Sequence, residues 1–184
     1  MSYASLGREA TLEDLWAFEG QAELIDGKLV PMTPTVFRPG RAAARIRRSL
    51  DVYENAVGGG LAVSEGVGFV LSTPRIQALI PDAAWWTGTP QEDALLNGPP
   101  AFAVEVRGRN DYGPTAERAM AYKRALYFAA GTAVVWDVDV LREGVVRVYR
   151  ADDPDHPTVY RRGEVAEAEP AVPGWRMPVD ELFD

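Results

Sequence analysis

Pro81-Asp82, then Ala101-Phe102-Ala103-Val104-Glu105-Val106, then Lys123 inside the segment Pro114 to Ala130: this stretch decides how the chain is read. The run from Ala101 to Val106 has the pattern of a short buried strand, apolar on both faces except at Glu105. Alternation sets Phe102, Val104 and Val106 on one face and Ala101, Ala103 and Glu105 on the other. A carboxylate buried there without a partner is unfavourable, so Glu105 calls for a cation or a strong hydrogen-bond donor. The alanines beside it leave room for one.

Pro114 to Ala130 is rich in helix formers, with Pro114 suited to a first turn and Gly131 to a stop. Helical rotation places Ala116, Met120, Lys123, Tyr127 and Ala130 on one narrow stripe, with Phe128 off it. Lys123 thus falls in an apolar seam. Two readings stand: the side chain snorkels outward, or it points at the strand end that carries Glu105. Asp82 follows Pro81 and precedes Ala83-Ala84-Trp85-Trp86, a strand start where acids are uncommon. Two carboxylates from neighbouring strands and one inward ammonium suit a hard divalent cation and a phosphate. Magnesium prefers carboxylate oxygens and keeps several waters, and a lysine beside it can orient water and offset charge on the phosphate.

Pro81-Asp82, Val104-Glu105-Val106 and a following lysine resemble the PD-(D/E)XK nuclease superfamily. More narrowly, the chain resembles the bacterial Uma-two family of restriction-endonuclease-like proteins. The matching pieces run nearly end to end. They are Glu23-Leu24-Ile25-Asp26-Gly27 with Met32-Thr33-Pro34, Pro81-Asp82, Val104-Glu105-Val106, and Lys123 with Tyr127 and Gly131. Val135-Trp136-Asp137-Val138-Asp139, Pro173-Gly174-Trp175 and Leu182-Phe183 complete the set. The resemblance implies a metal-dependent nuclease fold in which Asp82 and Glu105 are metal ligands. It implies that the motif lysine has moved from strand to helix as Lys123, and that Glu23 is a further acid near the metal. Arg107 stands where the superfamily motif has its lysine, so it either substitutes for that lysine or binds phosphate. Phe37-Arg38-Pro39-Gly40 replaces a histidine that many relatives carry, and Arg107-Gly108-Arg109-Asn110-Asp111 replaces a serine-containing loop.

Working outward, 184 residues suit a single domain, 1–184, large enough for a real core. A hydrophobic content of 47% with 25% charged residues is that of an ordinary globular protein. The absence of cysteine excludes disulfides, zinc–thiolate sites and thiol nucleophiles. No apolar run is long enough to span a bilayer and Met1 to Ala10 has no signal-peptide core, so the expected compartment is the cytoplasm. The net charge of -8 opposes nucleic-acid binding in sum, but its distribution is uneven. Arg38, Arg41, Arg45, Arg47 and Arg48 form one basic stretch, and Arg107, Arg109, Arg118, Lys123 and Arg124 another, while acids gather in Glu9 to Glu23 and from Asp152 onward. A basic cleft in an acidic shell suits a nuclease, and an ordinary solvated surface gives the same pattern.

Along the chain, Thr11 can cap a helix from Leu12 to Phe18, with Asp14 three residues on. Asp26-Gly27 marks a hairpin between Glu23-Leu24-Ile25 and Lys28-Leu29-Val30. Glu23 either faces the site or lies in water on an edge strand. Arg41 to Val57 reads as a helix with Ile46, Leu50, Tyr53 and Val57 inward, ended by Gly58-Gly59-Gly60. Leu61 to Ser72 reads as one bent strand or a hairpin, and Thr87 to Pro100 as a loop. Strands are expected at Ala133 to Asp139, Val145 to Arg150 and Thr158 to Arg161, with a last helical turn from Val179 to Phe183. Of Trp85 and Trp86, on opposite faces, at least one belongs in a core, and the other is expected to pack in a dimer or stack on a base, packing being favoured. Asp137 and Asp139 are expected to shape a turn. The lone His156, in a turn-like run of aspartates and prolines, argues against Ser-His-Asp chemistry and histidine metal sites.

The reading is therefore an α/β domain, a central curved mixed sheet flanked by helices. Its expected activity is Mg²⁺- or Mn²⁺-dependent endonucleolytic hydrolysis of DNA by Asp82, Glu105, Lys123 and Glu23. Arg107 and the helix arginines Arg41, Arg45 and Arg48 would hold the flanking backbone, and a homodimer is plausible for cutting two strands. The alternative is a catalytically silent binding or assembly module in which Glu105 and Lys123 form a buried ion pair.

Overall fold

The structure, a computed structural model, describes residues 8–183. Residues 1–7 of the segment read for a signal-peptide core lie outside that range. Helix α1 (Leu12–Trp16) starts on a capping box: Thr11 N–H donates to Asp14 Oδ2 at 2.8 Å, and Asp14 N–H donates to Thr11 Oγ1 at 3.4 Å. Strands β1 (Ala22–Ile25) and β2 (Lys28–Pro31) form the expected hairpin. Its turn holds Asp26 at φ 49° and Gly27 at φ 69°, the left-handed pair that such a tight turn needs. Helix α2 (Phe37–Val57) begins four residues earlier than the sequence suggests. Pro39 falls in its first turn, where a missing N–H breaks no hydrogen bond.

Strands β3 (Leu61–Ser64) and β4 (Phe69–Ser72) are neither one bent strand nor a hairpin. Gly66 and Gly68 lie in the passage between them, and the two strands enter different sheets. Then follow β5 (Ile76–Leu79), β6 (Ala83–Trp86), a short β7 (Leu96–Asn97) inside the expected loop, and β8 (Phe102–Val106). Helix α3 (Pro114–Ala130) has the expected bounds and stops at Gly131, φ 111°. Strands β9 (Val134–Asp139), β10 (Val145–Arg150), β11 (Asp153–Arg161), β12 (Val165–Glu167) and β13 (Arg176–Pro178) lead to a closing 3₁₀ turn (Val179–Leu182).

The central sheet is six-stranded, in the order β11-β10-β9-β8-β6-β3, and mixed, because β8 and β9 run parallel while its other pairs are antiparallel. A second, five-stranded sheet, β2-β1-β5-β4-β7, takes up the N-terminal half. The sequence suggested one sheet because it carries no signal for which strands pair.

Alternation along β8 divides the core. Phe102, Val104 and Val106 face α2, packing with Ala42, Ala43, Ile46 and Leu50 and with Trp136 and Trp175. Ala103, on the opposite face, packs with Leu126 and Tyr127 of α3 and with Phe69, Leu71, Leu79 and Trp86. Both Trp85 and Trp86 are buried, one in each core, so neither is available to stack on a base. Glycines make room for them: a Cβ on Gly60 would lie 2.5 Å from the Trp85 ring, and one on Gly88 2.2 Å from that of Trp86. Glu105, sharing its face with Ala103, is thereby directed to the α3 side.

Candidate active site

Strand pairing assembles the acids. The antiparallel register of β6 on β8 pairs Ala83 with Val104, and one step further sets Asp82 opposite Glu105. Two hydrogen bonds fix Asp82: its N–H donates to the Val104 carbonyl at 2.9 Å, and its Oδ2 accepts from Val106 N–H at 2.6 Å. Glu23 arrives from β1 in the second sheet, is buried, and accepts from Ile80 N–H at 2.7 Å. It is not the solvated edge glutamate that composition allowed.

Lys123 comes from α3 and does not snorkel. Its Nζ lies 2.8 Å from Glu105 Oε2 and 2.8 Å from Glu23 Oε1. Tyr127, one turn further along α3 and fully buried, donates its hydroxyl to Glu105 Oε1 at 2.9 Å. The helical stripe already set Tyr127 beside Lys123. What it lacked was any sign that both would reach the same carboxylate. The four residues expected to act together, Asp82, Glu105, Lys123 and Glu23, thus meet in one place.

Electrostatics there are dominated by burial and by an excess of negative charge. Burial lifts Asp82 to about 6, against the Val106 N–H and the Lys123 ammonium that favour its ionised form. Burial also lifts Glu105, and the Asp82 and Glu23 carboxylates oppose its ionisation while Lys123 favours it. For Lys123, burial pushes downward, but Glu105 and Glu23 outweigh it and hold the ammonium well above the ordinary lysine range.

The three acids form the floor of an open cleft of about 580 Å³, lined by Glu23, Asp82, Glu105, Val106, residues 30–36 and residues 108–111, whereas Lys123 lines a small void beside Glu105. A second hollow on the far side of residues 32–35 shares Asp82 and adds Gln21, Glu65 and Gly66. Arg109, which the sequence placed only in the basic cluster near the site, lines the cleft wall.

Of the four arginines expected to hold the nucleic-acid backbone, Arg107, Arg45 and Arg48 are placed otherwise. Arg107 does not face the cleft. It is 4% exposed and lies between carboxylates, with Nε donating to Asp137 Oδ1 at 2.6 Å and Nη2 to Asp137 Oδ2 at 2.7 Å. Its Nη1 and Nη2 also meet Glu117 on α3. Phosphate binding by Arg107 does not fit this placement. Arg45 and Arg48 lie on α2 against the closing turn, where Arg45 Nη1 donates to the Glu181 carbonyl at 2.6 Å. Because α2 covers the other face of the central sheet, these two are remote from the cleft. Arg41, exposed in the second turn of α2, is nearer to it, since Thr35 and Val36 just before that helix line the wall. Asp139 shapes a turn as expected, accepting from Leu141 and Arg142 N–H groups at 3.0 and 2.9 Å. Asp137 instead pairs with Arg107. His156 is solvent-exposed beside Asp153.

A divalent cation fits the donor set. Val106 holds only one oxygen of Asp82, and among the described residues no hydrogen bond reaches the other. Each Glu105 oxygen has one donor and retains a lone pair. Among the described residues no group of three or more histidine, cysteine or acidic side chains is placed to hold a metal ion, so a cation here would take two carboxylates, Asp82 and Glu105, and fill the rest of its shell with water. That is the coordination magnesium favours.

Paired acids on neighbouring strands of a mixed sheet, with a helix lysine beside them at an open cleft, define the restriction-endonuclease-like class of nuclease fold. The chain belongs to the Uma2 family, described as "Putative restriction endonuclease", whose model matches residues 12–180. A solved structure described as "a putative nuclease belonging to DUF820 from Anabaena variabilis ATCC 29413" superposes with a TM-score of 0.74. The match covers 94% of this chain and 97% of that one at 15% identity, a likeness that establishes the fold. Among curated proteins none matches. No helix of the described residues is long and apolar enough to cross a membrane.

Proposed function

We propose that this nuclease-family chain is a metal-dependent endonuclease that hydrolyses phosphodiester bonds in DNA in the cytoplasm. The observation that carries the reading is the charge balance at the cleft floor. Glu23, Asp82 and Glu105 gather around the single ammonium of Lys123, an excess of carboxylate that a doubly charged cation offsets.

Asp82 and Glu105 would hold Mg²⁺ or Mn²⁺, which when bound polarises a phosphate oxygen and makes water a better nucleophile at neutral pH. The chain's own residues do the positioning. Val106 N–H fixes Asp82, and the Tyr127 hydroxyl fixes Glu105, so both present oxygens to the cleft. Lys123 orients the attacking water and offsets charge as it develops on the scissile phosphate. Glu23 keeps that ammonium in place. Arg109, on the wall, is the group suited to a flanking phosphate. Two copies of the chain acting together would address both strands of a duplex.

Purified protein should nick plasmid DNA in Mg²⁺ or Mn²⁺, and Asp82→Ala should abolish the nicking. Equal nicking by the variant would remove Asp82 from the mechanism.

One observation favours the silent-module reading: both Glu105 oxygens already have donors, Lys123 and Tyr127, as in a closed structural ion pair. The readings separate in a thermal melt. A cation that binds the folded state raises Tm, whereas a silent module melts at the same temperature with and without Mn²⁺.

A further inference from the structure

Arg107 lies two residues beyond Glu105, and its five N–H groups are all engaged. Besides the paired bonds to Asp137 and Glu117, Nη1 donates to the Asp111 carbonyl at 3.3 Å. Asp137 is the register partner of Glu105 on the adjacent parallel strand and is 1% exposed. Glu117 is on α3, the helix that carries Lys123. A small void of about 20 Å³, lined by Glu105, Met120, Lys123, Arg124, Val135 and Asp137, separates the two ionic groups.

We propose that Arg107 is a positioning residue: by neutralising Asp137, it keeps Lys123 turned toward Glu105 and Glu23, and it does not touch substrate. Remove the guanidinium and Asp137 becomes a buried charge in need of a cation. Two are at hand. Arg124 already approaches Asp137 at 3.8 Å, but its guanidinium is stacked over the Tyr149 ring, 3.9 Å from the centroid. Lys123, a compact charge on a flexible stem across the void, is the one able to swing. Such a swing would take the ammonium from Glu105 and Glu23. A cation in the strand position nearest the acids thus acts on catalysis indirectly, by keeping a neighbouring carboxylate from competing for the lysine.

The catalytic part of this inference rests on the endonuclease reading, but the placement of Lys123 does not. The test uses two full-length variants, Arg107→Met and Arg107→Met/Asp137→Leu, each crystallised and assayed for DNA nicking with Mn²⁺. In the single variant Lys123 Nζ should move to Asp137, and kcat should fall on the order of 10- to 100-fold with KM nearly unchanged. In the double variant Lys123 should stay on Glu105 and Glu23, and kcat should recover to within about twofold. Lys123 unmoved in the single variant overturns the proposal. So does a raised KM in the double variant, the signature of a lost phosphate contact. Should the single variant not fold, the double variant still decides, since a substrate-binding arginine cannot be rescued by removing Asp137. If the wild-type protein nicks nothing, the endonuclease reading fails, and the two crystal structures alone judge the placement of Lys123.

Discussion

Glu105 and Asp137 are register partners on parallel strands, yet they are neutralised by different cations, Lys123 for the first and Arg107 for the second. Two buried carboxylates side by side would repel each other and compete for a single ammonium. Giving each its own partner lets one acid face the cleft while the other ties β9 to α3. The division of labour follows from alternation and register: Glu105 and Arg107 project from one face of the same chain segment, and Asp137 lies beside both.

Lys123 neutralises two acids at once, so removing its charge should be felt in stability as well as activity. Lys123→Met keeps the stem and deletes the ammonium, leaving Glu105 and Glu23 without a cation. The expected loss is about 3 kcal/mol, the lower end for a broken buried pair, because Lys123 is 17% exposed. Urea denaturation at pH 7.5 measures it, and nicking by this variant should be undetectable. Unchanged stability would mean the two bonds at 2.8 Å do not hold the ammonium in solution.

Tyr127→Phe is a more selective probe. Phenylalanine fills the same buried volume and removes only the hydroxyl that donates to Glu105. The expected destabilisation is about 1–2 kcal/mol, a fall in Tm of roughly 2–8 °C for a chain of this size. Activity should drop while persisting, since Lys123 and the two proposed metal-binding acids remain. Differential scanning calorimetry and nicking rates check the two halves separately.

The lysine helix was legible residue for residue, because Pro114 opens it, Gly131 stops it and its seventeen residues are mostly helix formers. The Asp26-Gly27 hairpin was legible for the same reason: local chemistry alone fixes it. The convergence of Asp82, Glu105 and Lys123 was suggested by three polar residues sitting where apolar ones belonged. Lost to the sequence were relationships between distant segments. Nothing local says that β3 and β4 enter different sheets, or that α2 covers the face away from Glu105 and so carries Arg45 and Arg48 off with it. Arg107 misled for the opposite reason. A cation next to a catalytic motif suggests phosphate, and its true partner, Asp137, lies thirty residues away along the chain.

Thr132 offers a test of the packing rather than the chemistry. It follows the α3 stop, is fully buried, and its Oγ1 has no hydrogen-bond partner among the described residues, although its N–H donates to the Tyr127 carbonyl. Valine has nearly the same shape and no hydroxyl to desolvate. Thr132→Val should therefore stabilise the protein by about 1 kcal/mol, with activity unchanged. A destabilised variant would reveal a partner for that hydroxyl.

Asp82 gives a pH dependence with a definite sign. Its folded pKa, about 6, lies above the ordinary value of 3.8, so the folded state binds this proton more tightly than the unfolded chain does. The favourable contribution is complete below pH 3.8 and is lost as pH rises through about 6. Without metal, the wild-type protein should lose about 1–3 kcal/mol from this group between pH 4 and pH 7. Asp82→Asn, whose amide oxygen can still accept from Val106 N–H, should lack that slope and be the more stable protein at pH 7.5. A divalent cation acts in the reverse direction, because it binds the ionised carboxylate and must displace the proton below pH 6. The rise in Tm on adding Mn²⁺ should accordingly be larger at pH 7.5 than at pH 5 in the wild type, and absent at both in Asp82→Asn. Urea denaturation for the free energies and thermal melts for Tm, on the two proteins at both pH values with and without Mn²⁺, measure all of this. An Asp82→Asn protein still stabilised by Mn²⁺ would move the cation to another site.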